Sequence, residues 1–153
     1  LGKAAGVSGA FVAGDPVLVE YLLQQARTYT YTTAMPPPLA GALLASLRLI
    51  EQEMWRRDQL VCLCSLLRET LQLSRWRLMA SDTAIQPVIV GSNTMAVAAS
   101  KHLLEHGILV PAIRPPTVPK GTARLRVSLS AVHTEADVRQ LADALQAAET
   151  ALA

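Results

Sequence analysis

The sequence predicts an α/β chain: the tail of an α/β domain over residues 1–35, a long connecting helical region over 36–74, and a small α+β domain over 75–153. Three observations carry that reading. Leu39, Leu43, Leu47, Ile50 and Met54, then Leu60, Leu63, Leu67 and Leu71, recur at helical spacing through the middle third. Arg124, Arg126, Ser128 and Ser130 alternate with Leu125, Val127 and Leu129, the period-two pattern of a half-buried antiparallel strand. A lysine set among glycines, Leu1-Gly2-Lys3-Ala4-Ala5-Gly6-Val7-Ser8-Gly9, leads into a short run of small and apolar residues.

In chain order, residues 9–13 read as a short buried strand. Asp15 followed by Pro16 is a helix start, with the acid at the cap and the proline in the first turn. Residues 17–27 then read as a helix. Residues 28–34, Thr-Tyr-Thr-Tyr-Thr-Thr-Ala, are β-branched and aromatic and predict a strand. Pro36-Pro37-Pro38 stops it and opens the leucine-rich region, which Arg56, Arg57 and Asp58 divide into one bent helix or two helices in series. Residues 85–90 form a strand closed by Gly91. Asn93 is the expected N-cap of a helix through Glu105, with Gly107 just past its end. Residues 108–113 predict another strand, residues 115–121 a rigid turn, and 124–130 the alternating strand. Thr134 with Asp137 resembles a capping box ahead of a final helix whose apolar face is Val138, Leu141, Ala142, Leu145 and Leu152.

Composition narrows the function. Of 153 residues, 51% are hydrophobic and 17% charged, which predicts a packed core rather than disorder. A net charge of +2, scattered arginines and 4% aromatics argue against a nucleic-acid partner. No apolar stretch reaches membrane-spanning length, so no membrane partner is expected. Cys62 and Cys64 lie two apart, which disfavours a disulfide and reads as reduced thiols in a cytoplasmic protein. His102, His106 and His133 do not form a metal motif, and no metal is expected. The first residue is not methionine and its glycine-rich turn has no element ahead of it, so the chain is expected to be the C-terminal part of a longer polypeptide.

Five side chains stand out chemically. The amine of Lys3, among small residues that let a flat group approach, could form a Schiff base with a carbonyl cofactor; the bland alternative is a solvated surface lysine. Arg114 ends a strand and is pinned by two prolines, which suits bidentate binding of a carboxylate; the alternative is an ordinary surface arginine. Thr117 shares its turn. Thr32 and Thr33 could donate hydroxyls to a phosphate or express simple strand propensity. Arg124 and Arg126 read as solvent-face or salt-bridging arginines.

Taken together, the Lys3 segment, Tyr31-Thr32-Thr33-Ala34-Met35-Pro36-Pro37, Ile85-Gln86-Pro87-Val88-Ile89-Val90-Gly91, and residues 112–126 around Ile113-Arg114-Pro115-Pro116-Thr117-Val118-Pro119 resemble the α-oxoamine synthases. These are fold-type I pyridoxal-phosphate enzymes, and the resemblance covers the whole chain. It implies the tail of a fold-type I large domain, the helical connector and the small domain. It implies pyridoxal 5′-phosphate as cofactor, with Lys3 as the Schiff-base lysine and proton shuttle. Thr33, with Thr32, would reach the cofactor phosphate of the partner subunit in a homodimer with shared active sites. Arg114 would bind the amino-acid carboxylate, and Thr117 would line the substrate site. The wording of residues 113–119 is similar to that of members serving biotin synthesis, implying a decarboxylating condensation of L-alanine with a pimeloyl thioester of coenzyme A or a carrier protein. Members that use glycine, and a non-catalytic remnant, are the alternatives. In that family the groups that stack on the cofactor ring and pair with its nitrogen precede the lysine, so this chain alone is not expected to be a competent enzyme.

Overall fold

The computed structural model describes residues 1–152, and the chain divides into two compact units, Leu1–Met54 and Trp55–Ala153. The sequence groups both central helices in a connector; the compact units part between them.

The first unit is helical. After the opening loop, α1 (Pro16–Gln25) starts as expected, with Asp15 Oδ1 accepting from the Val17 N–H at 2.9 Å and Pro16 at the first position. It stops two residues sooner than the sequence predicts, at Ala26, whose backbone turns extended. One further turn, α2 (Arg27–Thr30), follows. Then α3 (Pro37–Gln52) begins behind Pro36 and ends at Glu53, whose N–H still reaches the Leu49 carbonyl at 2.9 Å.

Two predicted strands of this unit are not formed. Residues 9–13 are extended but belong to no ladder, and no strand is found among residues 1–54. An extended segment becomes a strand only where a neighbour takes up its N–H and C=O groups. Residues 28–34 instead close a helical turn and leave it as a loop. The Tyr29 and Thr30 N–H groups both donate to the Ala26 carbonyl, at 2.9 and 3.0 Å, and the Thr30 hydroxyl adds a third bond at 3.3 Å. Local hydrogen bonding by a threonine-rich segment overrides its strand propensity here. Burial in the unit is thin: among residues 1–54 only Val7 is buried, still 9% exposed, and no residue of α1, α2 or α3 is.

The second unit is a helix-backed antiparallel sheet. It runs α4 (Trp55–Thr70), β1 (Arg77–Leu78), β2 (Ile85–Gly91), α5 (Asn93–Glu105), β3 (Ala112–Ile113), β4 (Ala123–Ser128) and α6 (Glu135–Ala151). The central leucine-rich stretch is therefore two helices, not one. Strand order is β1-β2-β4-β3, every pair antiparallel. Val88 of β2 lies opposite Leu125 of β4, and Gln86 opposite Val127. That face is sealed by Leu63 and Leu67 of α4, Ala99 and Leu103 of α5, and Val138, Leu141 and Leu145 of α6, all in one buried cluster. The Gln86 amide is fully buried but satisfied: its Nε2 donates to the Ser81 and Thr83 carbonyls at 3.0 and 2.6 Å, and Arg68 Nε donates to its Oε1 at 3.3 Å.

Two corrections concern ends. The N-cap of α5 is Ser92, not Asn93: the Ser92 hydroxyl accepts from the Met95 N–H at 3.1 Å, leaving Asn93 as the first helical residue. The strand predicted over 108–113 shrinks to Ala112–Ile113. Pro111 has no N–H to give to a ladder and contributes only its carbonyl, which accepts from Arg126 at 2.9 Å. The capping box of α6 forms as expected, with Thr134 Oγ1 and Asp137 Oδ2 reciprocally bonded to backbone N–H groups.

Glu149, near the end of α6, holds the loop between α4 and β1. Its carboxylate accepts from the backbone N–H groups of Ser74, Arg75 and Trp76 at 2.9, 2.8 and 2.5 Å, and from the Ser74 hydroxyl at 3.1 Å. The Arg75 guanidinium bonds the Glu149 carbonyl. Trp76 is buried against the core, whereas Trp55 is half exposed with the Arg56 guanidinium 5.0 Å from its ring centroid.

Candidate active site

In the first unit, Lys3 sits in a tight loop built by its own backbone. The Gly6 N–H donates to the Lys3 carbonyl at 2.9 Å, and the Val7 N–H to the Leu1 carbonyl at 3.1 Å. Gly6 and Gly9 adopt φ of 64° and 106°, conformations that glycine tolerates and other residues resist. The loop is tied to α3 by the Ser46 hydroxyl, which donates to the Ala5 carbonyl at 2.7 Å. The Lys3 side chain is exposed.

Thr32 and Thr33 follow α2 on a loop that runs into Pro36. Both are exposed, and among the described residues neither hydroxyl is taken up by a neighbour. Two residues on, the Met35 side chain lies over Gly9: a methyl group placed on that glycine would fall 2.6 Å from Met35 Sδ. The structure thus brings the Lys3 loop and the Thr32–Thr33 segment together through Met35 and Gly9.

Arg114 and Thr117 belong to the second unit. Arg114 leaves the end of β3 and enters a turn with a cis bond between Pro115 and Pro116; the Thr117 N–H closes onto the Arg114 carbonyl at 3.0 Å. Both residues are exposed, and Arg114 borders a shallow depression with Val97, Ser100, Lys101, Leu104 and Ala112. The far end of the turn is fixed by Thr122, whose hydroxyl donates to the Pro119 carbonyl at 2.8 Å. Arg124 braces that residue. Its Nε reaches the Thr122 carbonyl at 3.1 Å, one terminal nitrogen the Thr122 hydroxyl at 3.2 Å, and the other Met79 Sδ at 3.2 Å. Arg124 and Arg126 stand on the face of β4 opposite the core, as expected, Arg124 half-buried and Arg126 exposed; the hydrogen bonds that Arg124 makes there were not foreseen.

Sequence reasoning missed Met35 and the bracing by Arg124. The glycine at position 9 was the available signal for the first, because a crowded glycine marks a close approach. For the second, the bonds to Thr122 span only two residues, whereas the contact with Met79, 45 residues away, has no local signal.

The other chemically capable groups are quiet. Burial pushes the Cys64 thiol above its ordinary value, against an opposing pull from Arg68, and the thiol faces the Thr83 carbonyl at 3.6 Å. A thiol held protonated is a poor nucleophile. Cys62 is exposed, and neither cysteine is in a disulfide. The His102 and His106 rings are 4.5 Å apart at the end of α5, with His106 Nδ1 bonded to the His102 carbonyl.

Comparison with known proteins adds three findings. A model of the class I and II aminotransferases matches residues 1–145. Curated relatives from Methylobacillus flagellatus and Aromatoleum aromaticum, both named 8-amino-7-oxononanoate synthase, are 61% and 60% identical over 151 and 149 residues, or 99% and 97% of this chain. Among solved structures, a Lys→Ala variant of serine palmitoyltransferase from S. paucimobilis with bound PLP–myriocin aldimine matches 97% of this chain and 38% of its own, with a TM-score of 0.86 at 30% identity. The 8-amino-7-oxononanoate synthase of Francisella tularensis matches 95% of this chain and 43% of its own, with a TM-score of 0.79 at 30% identity. The chain spans 38–39% of the length of those two curated relatives.

Proposed function

The chain belongs to the class I and II aminotransferase family, and from that premise we propose that it is the lysine- and arginine-bearing part of an 8-amino-7-oxononanoate synthase. The overall reaction joins Cα of L-alanine to the acyl carbon of a pimeloyl thioester, expels the thiol and loses the alanine carboxyl as carbon dioxide. The observation that carries this reading is that curated relatives at 56–61% identity share that one name. The solved serine palmitoyltransferase and 8-amino-7-oxononanoate synthase both stand at 30% identity, so the names of the curated relatives, and not the fold likeness, favour this reading.

The residues present suit pyridoxal 5′-phosphate. An exposed primary amine stands on a glycine loop. Two uncommitted hydroxyls lie on the adjoining segment. When bound, the cofactor supplies an electron sink that lets alanine lose its Cα proton. Lys3 Nζ would hold the cofactor, and its free amine would take that proton and later return one to the product. Thr32 and Thr33 donate to the phosphate, across a homodimer interface, of the cofactor held by the partner subunit. Arg114 orients alanine through a two-point grip on its carboxylate, and Thr117 offers a hydroxyl to the substrate beside it. The second substrate is the pimeloyl thioester, and the setting is cytoplasmic biotin synthesis.

The test is thiol release by the complete gene product, supplied with pyridoxal phosphate and pimeloyl-CoA, with alanine, glycine or serine as amino acid. Alanine is expected to lead by about tenfold or more in kcat/KM, the scale on which a single methyl or hydroxyl is discriminated. Preference for glycine or serine would overturn the assignment. Borohydride reduction of the same protein is expected to leave a pyridoxyl group on Lys3, and Lys3→Ala to abolish it.

A further inference from the structure

We propose that Met35 is a positioning residue: its thioether seats on Gly9 and so fixes the loop carrying Lys3 against the segment carrying Thr32 and Thr33. The proposal deepens the reading of Lys3 as the cofactor lysine and rests on it for its functional meaning.

Gly9 is the crowded point of the loop. At φ 106° it holds a conformation that side chains rarely adopt, and the space where a Cβ would stand is already taken. That position lies 2.6 Å from Met35 Sδ, 3.1 Å from Met35 Cε and 3.9 Å from Leu1 Cδ1. Glycine here lets a thioether reach the backbone, and methionine, unbranched and polarisable, is the apolar side chain that best fills such an irregular gap. The Met35 backbone is anchored, because Pro36 and Pro37 follow it directly and open α3, while its side chain lies on Gly9 with half its surface exposed. From α3 the Ser46 hydroxyl returns to the Ala5 carbonyl at 2.7 Å. The circuit is closed: the Lys3 loop is gripped at Gly9 by Met35 and at Ala5 by Ser46, and α3 joins the two grips. Thr32 and Thr33 lie on the same short tether as Met35. Whatever shifts Met35 relative to Gly9 therefore shifts the amine relative to the hydroxyls, which by the reading above serve different cofactors of the dimer, the amine its own subunit's and the hydroxyls the partner's.

The test is a double-mutant cycle in the complete gene product: Gly9→Ala, Met35→Ala and both together. Two quantities are read. The first is the rate at which an amine-specific acylating reagent labels Lys3 in the cofactor-free protein, followed by peptide mass spectrometry. The second is the dissociation constant of pyridoxal phosphate, followed by absorbance. Each single substitution is expected to change both. The double variant is expected to depart from the product of the single effects by about fivefold, as for residues in direct contact, because removing Met35 relieves the collision that Gly9→Ala creates, while the backbone strain of a side chain at φ 106° is common to both Gly9 variants and cancels in the cycle. Met35→Leu, which conserves volume, is expected to stay within about twofold of the native protein in both readouts. Multiplicative effects, or a Met35→Ala protein with native Lys3 labelling, would overturn the proposal. Failure of the cofactor reading shows separately: coupling would persist in the labelling rate while pyridoxal phosphate binding proved indifferent to Lys3→Ala.

Discussion

Glu149 shows what one side chain can do in a small domain. Burial raises its carboxyl, and the Ser74, Trp76 and Arg75 backbone N–H groups with the Ser74 hydroxyl outweigh that, so the group titrates below its ordinary 4.5. A carboxyl whose folded value is depressed stabilises the fold fully above its unfolded value and loses that contribution as pH falls through the folded one. Stability measured by urea unfolding is therefore expected to hold down to about pH 4.5 and to decline below it. Glu149→Gln, which keeps the shape but gives up the charge and one acceptor oxygen, is expected to cost about 1–3 kcal/mol at pH 7 and to flatten the acid decline. An unchanged acid limb in that variant would show that the carboxylate is not its source. At the proposed substrate site the comparable residue is Arg114. Arg114→Lys keeps the charge but loses the planar fork, and is expected to lower kcat/KM for alanine by about tenfold or more through KM. An unaltered KM would remove Arg114 from carboxylate binding.

At the scale of elements, legibility followed the range of the forces involved. The alternation over residues 124–130 became β4 with Ala123, Leu125 and Val127 buried, because period-two burial is a property of the strand itself. The capping box at Thr134 and the proline starts of α1 and α3 were equally local and equally readable. What needed a distant partner was not. The strand expected at 9–13 lacked a neighbour to pair with, whereas that at 28–34 gave way to local hydrogen bonds onto Ala26. The Glu149 carboxylate binds backbone 73–75 residues away, and Arg124 finds a sulfur 45 residues away. The candidate site divides the same way. Lys3, Thr32 and Thr33 in the first unit, and Arg114 and Thr117 in the second, were proposed from residue type and resemblance, while Met35 needed three-dimensional packing to be noticed. Packing also ranks the helices. Leu67 of α4 is completely buried, so Leu67→Ala is expected to cost about 2–5 kcal/mol in chemical denaturation; a cost below about 1 kcal/mol would contradict the core as described.

At the scale of the molecule, the two units differ in how much they bury. The second has one continuous core, from Leu63 to Ala148. The first leaves Phe11, Val17, Tyr21, Tyr29 and Tyr31 more than 60% exposed. Opening free energy tracks buried apolar contact, so hydrogen exchange on the 153-residue chain is expected to protect α4, α5, α6 and the β2–β4 ladder far longer than α1 and α2. Equal protection across both units would refute this. The loop at Glu149 has an optical counterpart. The chain has two tryptophans: Trp76, buried with its backbone N–H on Glu149, and Trp55, half exposed beneath a guanidinium. Their emission separates by environment, one blue and shielded from acrylamide, the other red and readily quenched. Protonating one carboxylate at the end of α6 should therefore redden the shielded component alone, giving the small domain a built-in fluorescent indicator of its own acid transition.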